Sequence, residues 1–218
     1  MTEFRNQGDI ISKKKYQVVF GNHHLLSSDI EKMGPKWLDQ VHGSTIVKAS
    51  DSQVEADGHW TDRPNQALVI KTADCLPIFI FDLDRVFALH AGWRGVKKRI
   101  VTKALGMCRE PHHAKIYIGP HIQMRSFQLD HESAQSLLNE HGLRISQAMQ
   151  NSIALPSLSQ KNHYHVSLSQ LVAREAQSFK ATPLYISSVD TFLSPYHNSY
   201  RRNRLNKKRN FSYIHLKG

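Results

Sequence analysis

The chain has 218 residues, 40% of them hydrophobic and 22% charged, with two cysteines and a net charge of +11. That composition supports a globular core and excludes a disulfide framework, low-complexity disorder and a membrane span, because Asp, Pro or His breaks every apolar run well short of membrane length. One domain over residues 1–218 is the expectation, and with no apolar leader in "MTEFRNQGDIISKKK" a cytoplasmic protein is expected.

In chain order, "KYQVVFG" (15–21) reads as a strand. "DQVHG" enters a turn at Gly43 and "STIVKA" leaves it as a strand. "ADGHWTDRPNQ" reads as turn chemistry throughout, and "ALVIKTADC" as a strand leading to Cys75. "IFIF" (78–81) and "VFAL" (86–89) flank a polar "DLD" turn. If they pair as a hairpin, Cys75 and His90 meet at its open end. From Val96 to Cys108 the residues Ile100, Val101, Ala104, Leu105 and Cys108 form one helical stripe. "AKIYIGPHI" is a strand stopped by Gly119-Pro120. "DHESAQSLLNEHG" is a helix with Asp130 as N-cap and Gly142 as stop, and "SLSQLVAREAQSF" is a second, capped near Ser167 or Ser169. "PLYISSVDTF" is a late strand that leads into a basic tail. Strands and helices mixed along the whole length predict an α/β or α+β fold.

Fourteen histidines invite sorting. His23, His24, His112, His113, His163 and His165 fall in polar stretches and read as surface residues. His42, His59 and His90 stand beside glycine-bearing turns at strand ends. Cys75 with two of these histidines matches a catalytic zinc site, in which three protein ligands leave a fourth position open. The same residues also fit a Cys75–His90 or Cys75–His42 nucleophile and base, as in Cys-His hydrolases. A third reading takes the charge, dense in "SYRRNRLNKKRN", as a nucleic-acid surface. No helix-turn-helix, zinc-finger spacing or aromatic RNA-binding motif supports it, so only loose, sequence-independent binding is expected.

Taken together, "QVHG" (40–43), "ADG" (56–58), "TADCLPI" (72–78), "HAGWRG" (90–95), "IGPHI" (118–122) and "SYRR" (199–202) resemble the laccase-domain family, once called multicopper polyphenol oxidases. The motifs run in the family's order from about residue 36 to 218. The resemblance implies a four-layer α-β-β-α sandwich with mixed sheets, and a zinc ion held by His42, Cys75 and His90. Copper fits less well, since a blue-copper and trinuclear arrangement needs many more ligands. It further implies phosphorolysis of adenosine, guanosine, inosine or methylthioadenosine and deamination of adenosine, with purine nucleoside and phosphate as partners. Some bacterial relatives are assigned peptidoglycan-precursor editing. Arg94 and the pair Arg201–Arg202 are then the phosphate-binding candidates, with Arg204 outside the pair. Asp74 is either a general acid/base group or a strand-end cap, Trp93 a purine stack or a structural residue, and Asp57 a turn residue. Monomer and homodimer both remain open.

The chain departs from the family pattern in three places. The N-terminal Thr-Arg, Gly-Gly and Ser-Leu-Asn-Leu-Gly stretch is shortened, which removes or replaces an arginine and an asparagine expected at the pocket. Gln128 stands where a carboxylate is usual, and the late Cys-Thr reads Asp190-Thr191.

Overall fold

The structure is a computed structural model and describes residues 8–218 apart from Leu26 and Lys32. Residues 1–7, part of the segment read as lacking a leader, lie outside the described residues. Among the described residues fifteen strands follow in chain order: β1 (Asp9–Ser12), β2 (Tyr16–Phe20), β3 (Leu38–Asp39), β4 (Ile46–Lys48), β5 (Val54–Glu55), β6 (Gly58–Thr61), β7 (Leu68–Thr72), β8 (Leu76–Asp82), β9 (Arg85–Ala91), β10 (Lys115–Ile118), β11 (Gln128–Asp130), β12 (Ala154–Pro156), β13 (His163–Val166), β14 (Pro183–Ile186) and β15 (Asn210–Leu216). The helices are α1 (Ser27–Glu31), α2 (Trp93–Lys97), α3 (Ile100–Met107), α4 (His131–Asn139), α5 (Ile145–Gln150) and α6 (Leu168–Ser178).

The β8–β9 hairpin organises the rest. Its strands pair antiparallel from Leu76↔Ala91 to Asp82↔Arg85. Alternate side chains leave on opposite faces of a sheet. Leu76, Ile78 and Ile80 with Phe87, Leu89 and Ala91 therefore face a core shared with α3, α4, α5 and α6. Phe79, Val86 and Ala88 face a second core shared with Val18 and Phe20 of β2, Leu68 and Ile70 of β7, and Ile214 of β15. Burial on both faces explains why "IFIF" is an unbroken apolar run rather than an alternating one. Each such side chain contributes about 1.5–3 kcal/mol on burial.

The hairpin is the centre of a six-stranded sheet of order β14-β10-β8-β9-β6-β4. A four-stranded sheet, β1-β2-β15-β7, packs across it, with Phe20 stacked on Phe79 at 5.4 Å and the Tyr16 and Tyr117 hydroxyls 2.6 Å apart. Helices α3–α6 cover the outer face of the larger sheet. Val19 and Val69 on the outer face of the smaller one meet Ile30 of α1. This is the expected α-β-β-α order, with a thin layer at one side.

Four local expectations change. The stripe from Val96 to Cys108 is two helices, because Arg99 takes a left-handed φ of 58° between α2 and α3. Glu175 of α6 accepts the Thr102 N–H at 2.7 Å and so caps the second of them from outside. "GHWT", read as turn, is β6, held between β4 and β9. His163 and His165 lie in β13 rather than a loop. The basic tail ends in β15, an interior strand between β2 and β7. The capping residues behave as read. Asp130 accepts the Ser133 N–H at 2.8 Å, and Ser167 accepts from Gln170.

Candidate metal centre and cleft

β7 runs into a turn at Ala73–Cys75 and the chain returns as β8, so Cys75 sits at the hairpin's open end. His90 lies in β9 opposite Pro77, and His42 reaches the same point from the turn after β3. The ligand-capable atoms of the three all lie within 4.8 Å of one another. The His42 and His90 rings are nearly perpendicular, at 81°. Gly92 is required beside them, since a Cβ there would stand 2.8 Å from the Cys75 sulfur.

Two residues at the centre take positive φ, which costs of order 1 kcal/mol or more for a side chain with a Cβ. His42 has φ 60° and Asp74 φ 92°. A buried carboxylate or a network of hydrogen bonds holds each in place. Asp57 is fully buried and accepts the N–H groups of Val41 at 3.3 Å, His42 at 3.0 Å and Gly43 at 2.5 Å. Its Oδ1 also lies 2.7 Å from Nδ1 of His90, which leaves Nε2 of that ring free as a ligand. Asp57 is thus the residue that sequence reasoning underrated as a turn former. A carboxylate behind a metal-binding histidine is the arrangement that orients such ligands. Asp74 accepts from the Thr191 hydroxyl at 2.8 Å and from the Arg201 N–H at 2.7 Å, and its carbonyl accepts from Ile122 at 2.9 Å. Both its carboxylate oxygens are therefore committed to bracing the turn and the 199–209 loop.

The electrostatics suit a thiolate ligand. Burial alone would raise the Cys75 thiol, but attraction to the His90 and His42 imidazoles outweighs it and brings the pKa down to about 6. Burial would lower His90, yet the Cys75 thiolate and Asp57 push it up to about 9. Burial likewise opposes ionisation of Asp57, and the bonds from His90 and Gly43 overcome it, holding the carboxyl below its usual range. One thiolate and two imidazoles fit a single zinc-type centre. Among the described residues this is the one group of three or more His, Cys, Asp or Glu side chains able to share an ion, and it supplies too few donors for several coppers.

The centre opens into a cleft of about 850 Å³. Trp93, Phe127 and Tyr200 line it together with Lys71, Arg94, Arg201, Arg204, Lys207 and Arg209. Arg94 lies over the Trp93 ring at 4.7 Å. Arg201 lies over Phe127 at 5.6 Å. Arg202 does not line the cleft, contrary to the sequence reading. Its guanidinium donates to the carbonyls of Thr191, Phe192 and Ser194, each at 2.9 Å, and to that of His197. Arg204, expected outside the site, does line it. His59 is not at the centre either; it is fully buried in β6, and neither ring nitrogen has a partner among the described residues. Of the three departures, Gln128 and Asp190 do not line the cleft themselves, although the Gln128 carbonyl accepts from Arg201 at 3.5 Å. Gln128 donates to the Ser157 hydroxyl, and Asp190 accepts from Ser126.

The sequence profile of the family described as multi-copper polyphenol oxidoreductase laccase matches residues 6–217. The chain belongs to this family. Among relatives of this laccase-domain protein, a Pseudomonas aeruginosa protein named purine nucleoside phosphorylase is 39% identical over 111 residues, 49% of this chain and 46% of that one. A Rickettsia conorii protein of the same name is 29% identical over 165 residues, 72% and 66% of the two chains. The chain thus spans about half to two thirds of the length of these curated relatives. In the fold, a Neisseria meningitidis protein of family DUF152 superposes with a TM-score of 0.82 at 18% identity, covering 97% of this chain and 98% of that one. Bacillus licheniformis YfiH does so with 0.79 at 20%, covering 93% of each. At these identities the likeness is one of fold.

Proposed function

We propose that this laccase-domain protein is a zinc-dependent purine nucleoside phosphorylase of the cytoplasm. The observation that carries the reading is the joining of the His42–Cys75–His90 centre to a cleft lined by six basic and three aromatic side chains. The names of its relatives point the same way.

In phosphorolysis an oxygen of inorganic phosphate attacks C1′ of the nucleoside, the bond to the purine nitrogen breaks, and the base leaves with that electron pair. Arg201 would grip the phosphate; its N–H donates to Asp74 and its guanidinium lies over Phe127, which supports that role. Arg94, at the start of α2, lines the same cleft and adds a second guanidinium. Tyr200, exposed on the cleft, would offer a flat face for the purine, while Trp93 packs against the core beneath Arg94. Asp57 keeps His90 oriented and His42 in its strained turn, so the donor set is preformed. Zinc held by His42, Cys75 and His90 would supply a Lewis acid that polarises a substrate heteroatom.

Incubation with adenosine and phosphate, followed by chromatography, tests the reading. Adenine should form only with phosphate present, and a chelator should stop it. Inosine formed without phosphate would add the deamination that the family resemblance implies. No product from any purine nucleoside would sink the proposal. The Cys75 thiol, at about 6, favours one second reading, a cysteine nucleophile with His90 as its base. That reading requires iodoacetamide to abolish activity that survives chelator.

A further inference from the structure

The cleft carries more positive charge than a nucleoside and one phosphate would use. A nucleoside is neutral, and two guanidiniums suffice to hold a phosphate by bidentate bonds. Arg94 and Arg201 fill that role, which leaves Lys71, Arg204, Lys207 and Arg209 along the same cleft. Among the described residues none of the four forms an ion pair. Of the acidic side chains on the lining, Asp74 is committed to Thr191 and Arg201, and Asp39 to Gln53.

A basic tail serving solubility alone would scatter its charges. Here the cations converge from separate parts of the chain: Lys71 from β7, and three from the loop between Tyr200 and β15. Within that loop the direction is selective, since Arg202 turns to four backbone carbonyls and Lys208 does not line the cleft, whereas Arg204 and Lys207 do, as does Arg209, whose guanidinium also donates to the carbonyls of Asn206 and Lys208. Like charges gathered without counter-charge repel one another and weaken the fold unless an anion fills the space. At about 850 Å³ the cleft also has room beyond a nucleoside, since small-ligand sites begin at roughly 300 Å³.

We infer that the substrate is a purine nucleoside 5′-phosphate, whose own phosphate is held by Arg204, Lys207 and Lys71 while Arg94 and Arg201 hold the attacking one. This rests on the phosphorylase reading above and narrows its substrate class. The glycosidic bond still breaks by attack of inorganic phosphate at C1′. The products become the free purine and a ribose carrying phosphate at both C1 and C5.

The probes are AMP and adenosine, compared as substrates with inorganic phosphate and as ligands by calorimetry in phosphate-free buffer. AMP should be favoured about tenfold or more in kcat/KM and in affinity at low salt, from one set of charge-assisted bonds. The preference should shrink as the salt rises. In an Arg204→Gln, Lys207→Gln double variant, whose folding is checked by circular dichroism, the AMP-to-adenosine ratio should collapse towards one. Equal handling of the two compounds by the unaltered protein would overturn the inference, as would a ratio that survives the double substitution. A random-sequence oligonucleotide that displaces AMP at lower concentration than AMP itself would overturn it in favour of a polynucleotide surface. If neither compound is cleaved, the phosphorylase reading fails. The calorimetric ratio then decides the 5′-phosphate by itself.

Discussion

Asp57 accepts from three successive N–H groups and from an imidazole with no exposed surface of its own. An Asn in its place is nearly the same size but carries an amide nitrogen, which would face a donor wherever the ring or the turn now donates. Asp57→Asn should therefore weaken metal binding by about ten- to a hundredfold, read by competition with a chromophoric chelator. On the proposed zinc reading the unaltered protein should bind one zinc per chain, and Cys75→Ala and His90→Ala should each abolish that binding while far-ultraviolet circular dichroism is retained. A metal content unchanged in Asp57→Asn would show that the turn holds His42 without it. The adjacent arginines separate by role. Arg201→Lys keeps the charge and loses the fork, so phosphorolysis should fall about ten- to a hundredfold, as one charge-assisted hydrogen bond implies. Arg202→Lys should instead cost stability, of order 1–3 kcal/mol in urea unfolding, because carbonyls at 191–197 lose their donor.

At the scale of elements, α3 is the clearest case of a helix completed from elsewhere. Its N-cap position is Arg99, in a left-handed conformation with no capping side-chain bond. Glu175 supplies the acceptor from α6, taking the Thr102 N–H and the Thr102 hydroxyl at 2.7 and 2.9 Å. Glu175→Ala should cost about 2 kcal/mol, since a helix-terminal donor is orphaned and a cavity opens. Glu175→Gln, which keeps one acceptor, should cost less. Equal losses in urea titrations would mean that the charge matters and the cap does not. The break at Arg99 was invisible in the apolar stripe, because Ile100, Val101, Ala104 and Leu105 keep helical spacing whether or not the turn before them is continuous. β6 was hidden for another reason. "GHWT" is four residues between Asp-Gly and Arg-Pro-Asn signals, and only pairing with β4 and β9 makes it a strand.

Across the whole molecule, burial of neutral histidines sets a limit on acid stability. His59 is fully buried and lowered by burial to about 3, and His121, lowered by burial, to about 4. In the unfolded chain each titrates near 6.5, so between that value and the folded one the unfolded state binds more protons. The stability these two contribute is then complete above about pH 6.5 and falls as the pH drops, by roughly 1.4 kcal/mol per pH unit for each such histidine. Urea midpoints measured from pH 7 to pH 4.5 should decline accordingly, and His59→Leu should flatten the slope by about one proton. A midpoint independent of pH over that window would show that these histidines are protonated in the fold. The layered arrangement makes this burial unavoidable for His59, whose strand lies inside the six-stranded sheet.

The hairpin ends and the capped helices were legible from residue order, because each depends on neighbours within a few positions, whereas the candidate set His42, Cys75 and His90 came from the family resemblance of whole motifs, its spacing alone being a weak signal. Short apolar runs and the polar turn between them are local properties, and they place Cys75 and His90 at one end of a hairpin before any tertiary contact is considered. The roles of Asp57, Arg202 and Arg204 were not legible. Asp57 acts through a turn 14 to 16 positions away and a ring 33 away. The 199–209 loop has no periodicity that could orient its side chains. Its path is set by long-range bonds, the Arg201 N–H to Asp74 across 127 positions and Asn198 to Asn210 across the loop's base. Only when those close does one arginine turn inward to the cleft and its neighbour outward to carbonyls, because the backbone direction at each residue follows from distant partners rather than from its own sequence.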